Sequence, residues 1–197
     1  RKTQLEILDT VDSFCKKCSI KYYLIAGTLL GAIRHKGYIP WDDDIDIAMM
    51  RSDYEEFIAS FEFDGYYVAS IEKDKDYHLP YAKICADNTL LVEPSRLTKK
   101  PIGINIDLFP IDYVPDDANL LDRQMRDIWW YKQLLALKDT LVSKKRNVIK
   151  NAVLIISRIF LVLLNYRYLV KQLSEISAQY SWNPSRLCGE LVWGIGK

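Results

Sequence analysis

The run Asp42-Asp43-Asp44-Ile45-Asp46-Ile47 limits what this chain can fold into more than any other segment. Four carboxylates within five positions repel one another unless positive charge is set among them. Ile45, Ile47 and Met49 alternate against Asp42, Asp44 and Asp46, so a strand here carries aliphatics on one face and acids on the other. Acids two apart on such a strand lie about 6–7 Å apart, a spacing that suits divalent cations in a phosphate site. The residues upstream point the same way. Leu24-Ile25-Ala26 reads as a buried strand, Gly27-Thr28 as a turn, and Leu29 to Ile33 as a short helix. Backbone N–H groups at a strand-to-helix turn form an anion seat. Arg34 and Lys36 follow as candidate phosphate contacts, one two-pronged and one a point charge. His35 serves the same end or faces solvent. Trp41 packs the loop or stacks on a ligand ring or a quaternary ammonium.

Three other readings compete. A charge run is by default a solvated turn. A calcium loop would use Asp42, Asp44 and Asp46 as its first three ligands, but Ile47 stands where the sharp turn needs Gly. The metal-binding Asp-x-Asp of a nucleotide-sugar glycosyltransferase remains open, although no upstream nucleotide-binding βαβ unit of sufficient length is visible.

A second informative segment is Gly103 to Asp112, GINIDLFPID. Ile104, Ile106 and Leu108 alternate with Asn105, Asp107 and Phe109, which places Asp107 opposite the aliphatics. A lone acid in so apolar a strand is costly unless paired or on a metal. Asp112, after a Pro, reads as a turn cap or as a support for the site from behind.

Residues 26–57, AGTLLGAIRHKGYIPWDDDIDIAMMRSDYEEF, resemble the signature of the LicD family. That family includes phosphocholine transferases, is similar to the fukutin-type transferases, and belongs to the nucleotidyltransferase superfamily. The likeness is dense over residues 24–57 and returns at Gly103 to Asp112. It implies an α/β (α+β) fold: a small mixed sheet of nucleotidyltransferase type flanked by helices, with a helical C-terminal part. It implies that Asp44, Asp46 and Asp107 hold Mg2+, with Mn2+ as an alternative. In that reading Asp107 also accepts the proton of the attacking hydroxyl, Gly27 and Thr28 bind phosphate, and Arg34, His35 and Lys36 stabilise transferred charge. The implied donor is CDP-choline or a similar CDP-alcohol. The implied acceptor is a sugar hydroxyl of a cell-surface glycan such as teichoic acid, lipopolysaccharide or a related polysaccharide. A non-catalytic module that has kept the pocket is the remaining rival, but all three acids are in place.

The rest of the chain reads as support. Residues 3–19 form a packing helix, with Leu5, Leu8, Val11, Cys15 and Cys18 at helical spacing. Arg51-Ser52-Asp53 opens another, capped by Ser52 or Asp53, with Tyr54, Phe57, Ile58 and Phe61 inward. Arg51 is expected to pair with an Asp of the acidic strand. Tyr66 to Ile71, Tyr81 to Ala86 and Thr89 to Val92 read as strands. His78 reads as a surface residue and Lys83 as a weak phosphate contact. The basic loop from Pro94 to Pro101 reads as a solvated face or a flap over the nucleotide. Helices are expected over Ala118 to Ser143 and Val148 to Tyr180. Val153 to Leu164 is too short to span a bilayer, which needs about 20 apolar residues. It is either a buried helix or a docking surface for a membrane or partner.

These elements divide into a catalytic core, residues 1–115, and a helical C-terminal region, residues 116–197. Arg1 in place of Met makes the chain read as a piece of a longer protein. A net charge of +1 excludes a general nucleic-acid binder. The four cysteines suggest thiols in a reducing compartment, hence a cytoplasmic protein, at the inner face of the membrane if the docking surface is real.

Overall fold

The computed structural model describes residues 1–91, 101–140, 147–161 and 164–192. Arg96, Lys99 and Lys100 of the expected flap, and the Lys144-Lys145-Arg146 break, lie outside the described residues. The fold is α/β. In chain order the elements are α1 (Lys2–Cys18), β1 (Tyr23–Leu24), α2 (Ala26–Arg34), β2 (Asp46–Met50), α3 (Arg51–Ser60), β3 (Tyr66–Ala69), β4 (Ala82–Ala86), β5 (Asn105–Tyr113), α4 (Ala118–Asp139), α5 (Val148–Leu161), α6 (Tyr166–Ala178) and β6 (Cys188–Glu190). The strands make one mixed sheet in the order β1-β2-β5-β4-β3. β5 is its axis. It runs parallel to β2, with Asp46 beside Asp107, and antiparallel to β4, with Lys83 beside Asp107. β6 pairs with the far end of β5 through Ile111 to Tyr113.

Side-chain alternation gives the sheet two faces. On one, Ile45, Ile47, Met49, Ile84, Ile106 and Leu108 pack against Ile7, Val11 and Cys15 of α1 and Tyr54, Phe57 and Ile58 of α3. The inward face of α1 is set by Ile7, Val11 and Cys15; Leu5 is exposed, so the stripe is turned by part of a step from the expected one. On the other face, Ala48, Cys85 and Phe109 pack against Ile128 and Leu135 of α4 and Leu169, Val170 and Leu173 of α6.

Several local expectations are corrected. Gly27 and Thr28 lie in the first turn of α2 rather than before it. The acids Asp42 to Asp44 precede β2, because three consecutive carboxylates cannot all point away from a sheet covered on both faces. Neither Ser52 nor Asp53 caps α3; its N-cap is Met50, and the Asp53 carboxylate accepts from the Lys21 N–H. Of Thr89 to Val92, the described residues contribute a single bridge, Leu91 to Ile102, and the Thr89 hydroxyl accepts from the Ile104 N–H. The expected long second helix is two, because Asn165 caps α6 by accepting from the Arg167 N–H. β6 was not anticipated. All four cysteines are thiols; burial, ahead of the nearby Asp12, pushes that of Cys15 up to about 12.

Arg51 pairs with Asp112, which lies within β5 rather than capping a turn. Arg51 Nε and Nη2 each donate to Asp112 at 2.7 Å, and the Ser181 hydroxyl donates to Asp112 Oδ1 at 2.6 Å. Both side chains are buried. Burial works against the guanidinium's charge, but its contacts with Asp112 outweigh that and hold it above its ordinary value. This pair ties α3 to the central strand and to the segment after α6. Asp112→Ala should cost about 3–5 kcal/mol of stability, since it leaves a buried guanidinium without a counter-charge. Urea unfolding of the variant measures this.

Candidate active site

The register of the central strands brings three charged side chains into one row. Asp46 of β2 stands beside Asp107 of β5, which stands beside Lys83 of β4. Lys83 Nζ donates to Asp107 Oδ1 at 2.7 Å and to Asn105 Oδ1 at 3.1 Å. One pleat further along, Ala48 and Phe109 fall under α4 and α6, and Tyr81 stacks on Phe109 with ring centroids 4.3 Å apart. The charged row therefore lies just beyond the apolar layer. The sheet buries Asp46 and the Lys83 side chain, while the Asp107 side chain keeps 15% exposure.

Backbone and helix contacts fix this row from β2 outward. The Asp46 N–H donates to Thr28 Oγ1 at 2.8 Å, and the Ile25 N–H donates to the Asp46 carbonyl at 3.2 Å. The start of α2 is thereby stapled to Asp46. The acidic loop is held from α1: Arg1 Nη2 donates to the carbonyls of Pro40 and Asp42, and Gln4 Nε2 to those of Asp43 and Asn105. Gln4 in turn accepts from the Tyr38 hydroxyl. Gly27 lies against the Asp42 carboxylate. A Cβ there would meet Asp42 Oδ2 at 2.5 Å.

The acids form a continuous negative field. Carboxylate oxygens of Asp42, Asp43 and Asp44 lie within 4.8 Å of one another, the one such trio of potential ligands among the described residues. Asp44 is exposed as a residue, yet its carboxyl is crowded. Burial raises its pKa, and the charge of Asp42, a hydrogen bond with Asp42 and the charges of Asp107 and Asp43 add to the rise. An all-oxygen, acid-rich donor set of this kind fits a hard divalent cation such as Mg2+ or Mn2+.

The other expected site residues fall differently. Arg34 ends α2 and His35 and Lys36 follow it, all on exposed positions, and the Arg34 and Lys36 side chains make no hydrogen bond or ion pair among the described residues. Lys36 has a φ of 58°. Trp41 is 82% exposed, so it does not pack the loop; its nearest ring is His35, 6.4 Å away centroid to centroid.

Lys83 lines a cleft of about 420 Å³ with Tyr67, Lys73, Tyr77, His78 and Ile102. His78 thus belongs to a cleft wall rather than open surface, with its ring 5.9 Å from Tyr77 and 6.5 Å from Tyr166. Tyr77 is buried, and its hydroxyl finds no hydrogen-bond partner among the described residues. Lys83 and Gln4 are the residues that sequence reasoning undervalued. Their roles follow from sheet register and from the seat of α1, neither of which has a local signature.

Comparison with known proteins follows from this geometry. Residues 19–144 match the family described as LicD/FKTN/FKRP, nucleotidyltransferase domain. The chain is 33% identical over 155 residues to the lipopolysaccharide cholinephosphotransferase LicD of Haemophilus influenzae, an overlap of 76% of this chain and 57% of that protein. It is 40% identical over 85 residues to an uncharacterised protein of Rickettsia prowazekii, covering 42% of this chain and 30% of the relative. The chain spans less than two thirds of the length of each. No solved structure matches it.

Two outcomes test the electrostatics. Asp44 holds its proton more tightly folded than unfolded, so its contribution to stability is complete below the ordinary carboxylate range and fades as pH rises through the raised value. The metal-free protein should lose stability as pH rises above the ordinary carboxylate range, and Asp44→Asn should flatten that loss in thermal melts. Lys83→Met removes the ammonium beside Asp107 and should tighten Mn2+ binding by a factor on the order of 3–10, read by electron paramagnetic resonance titration.

Proposed function

The chain belongs to the LicD/FKTN/FKRP nucleotidyltransferase-domain family, and on that premise we propose that it transfers phosphocholine, or a similar phospho-alcohol, from a CDP-activated donor to a sugar hydroxyl of a lipopolysaccharide-type glycan. The observation that carries the reading is the row Asp46–Asp107–Lys83, set across three adjacent strands beside the Asp42–Asp44 cluster. It sets acids able to take a divalent cation beside a fixed positive charge, a pairing suited to phosphoryl transfer between two oxygens. The named activity of the Haemophilus relative supports the choice of group and acceptor.

In this reading Asp44, Asp46 and Asp107 hold Mg2+ or Mn2+, which when bound neutralises the donor pyrophosphate and the departing CMP. The acceptor oxygen forms its bond to the phosphorus of phosphocholine as the P–O bond to CMP breaks. Asp107 takes the proton of the attacking hydroxyl. Lys83, whose ammonium already sits against Asp107, supplies positive charge to the phosphoryl oxygens as they pass through the transition state. The first-turn N–H groups of α2, at Gly27 and Thr28, receive a phosphate oxygen, and their dipole favours it. The cleft beside Lys83 has the volume and mixed lining of a small-ligand site and receives the donor. Arg34, His35 and Lys36, on exposed positions, would stabilise charge on the transferring group, and exposed Trp41 offers an aromatic face to a quaternary ammonium.

The test is calorimetric titration with CDP-choline, CDP, CTP and UDP-glucose, each with and without Mg2+, followed by transfer assays on Asp44→Asn and Asp46→Asn. Metal-dependent binding strongest for CDP-choline is expected, with transfer falling by roughly 10²-fold or more in each variant while circular dichroism stays unchanged. Preference for UDP-glucose, or unchanged transfer, overturns the assignment.

A further inference from the structure

α5 presents its apolar residues outward. Val148, Ile149, Val153, Ile155 and Ile156 are each about half exposed or more, and Ala152 is exposed with them. At 3.6 residues per turn these six positions fill one unbroken arc of roughly 160°. The opposite side carries Leu154 and Leu161, which are buried against the protein, and Lys138 of α4 fastens the end of α5 by donating to the Leu161 carbonyl at 2.6 Å. A helix buried on one side and apolar on the other has two apolar faces and only one partner among the described residues. Of the segment read as either a buried helix or a docking surface, Leu154 and Leu161 are buried, whereas Val153, Ile155 and Ile156 are exposed.

Charge identifies the occupant. No Asp or Glu occurs between Asp139 and Glu175, whereas Lys144, Lys145, Arg146, Lys150 and Arg158 cluster around this helix in the sequence of a chain whose net charge is only +1. Lys150 stands exposed on the flank of the apolar arc. Two copies meeting through this face would find no acid on α5 to set against Lys150. An anionic lipid surface satisfies both features, since it takes the apolar arc among its acyl chains and the basic flank among its headgroups. At 14 residues α5 is about 21 Å long, too short to cross a hydrocarbon core of about 30 Å. No helix among the described residues is long and apolar enough to cross a membrane.

We propose that the outward face of α5, formed by Val148, Ile149, Ala152, Val153, Ile155 and Ile156, lies in the interface of an anionic lipid bilayer and docks the protein on it as a peripheral protein. The proposal stands apart from the transfer reaction, because it rests on a surface that shares no residue with the charged row.

The experiment is flotation of the protein with vesicles of phosphatidylcholine alone and of phosphatidylcholine mixed with phosphatidylglycerol, at low and high salt. Binding to the mixed vesicles is expected, weaker on the neutral ones, and reduced but not abolished by salt. Ile149→Ser/Ile156→Ser should lose binding by about tenfold or more with an unchanged thermal melt, since both side chains are already in water. Lys150→Glu, a surface change that leaves the core untouched, should weaken binding to the mixed vesicles alone. Failure to float with either vesicle overturns the proposal. So does equal binding by wild type and the double variant, or a dimer in light scattering that the double variant dissolves.

Discussion

Parallel pairing of β2 with β5 sets two carboxylates, Asp46 and Asp107, side by side in the middle of the sheet. Neighbouring strands lie about 5 Å apart, and two unit charges at that distance repel by about 3 kcal/mol at an effective dielectric near 20. A fold does not keep such a repulsion without compensation. Lys83 supplies part of it from the next strand, and Asn105 steadies the ammonium from the same face. A divalent cation would supply the rest. The surrounding contacts keep the acids from relaxing apart: α2 is stapled to the backbone of Asp46, and Arg1, just before α1, and Gln4 within it hold the carbonyls of the loop that carries Asp42 and Asp43.

The chain holds a second pair of opposite charges in the same sheet, and the contrast separates structure from chemistry. Arg51 and Asp112 are closed off, with two Arg hydrogen bonds and a Ser181 hydroxyl on a carboxylate that has no exposure. Nothing from solvent can reach that carboxylate, so the pair is a strut. Lys83, which pairs with Asp107, lines the wall of a cleft, and Asp107 keeps part of its surface in water. An ion pair at a cleft wall can exchange partners with a ligand at modest cost, whereas breaking a buried one leaves a bare charge.

Much of this was legible because it is written in short-range periodicity. Ile45, Ile47 and Met49 alternate as expected into the core, as do Ile106 and Leu108, and Tyr54, Phe57, Ile58 and Phe61 form the inward face of α3. The rest depends on pairings across the sheet. Lys83 acquires its role from facing Asp107 on another strand, 24 residues away. The partner of Arg51 is 61 residues distant, on a strand whose Pro110 suggested a turn. Pro110 is tolerated, and Asp112 remains in the strand. β6, with the sequence Cys-Gly-Glu, has no strand propensity of its own and pairs because β5 offers a free edge there. The break between α5 and α6 did have a local sign, Asn165 as a cap, which the continuous apolar pattern around it obscured.

The position of the site follows from incomplete coverage of one face. α4 and α6 cover the row containing Ala48 and Phe109, whereas in the row before it the Asp107 side chain keeps 15% exposure. Closing that gap with more apolar chain would bury Asp107 as Asp46 already is and raise its desolvation cost beyond what one Lys offsets. The backbone beside the gap carries its own strain. Ala26, at the start of α2, has φ 47°, a left-handed conformation that costs a residue with a Cβ about 1–2 kcal/mol. The two hydrogen bonds linking Ile25 and Thr28 to Asp46 are of the size needed to hold it there, at about 1 kcal/mol each. That bend brings the first turn of α2 onto the acidic strand, which an unstrained residue in extended conformation would have carried past it.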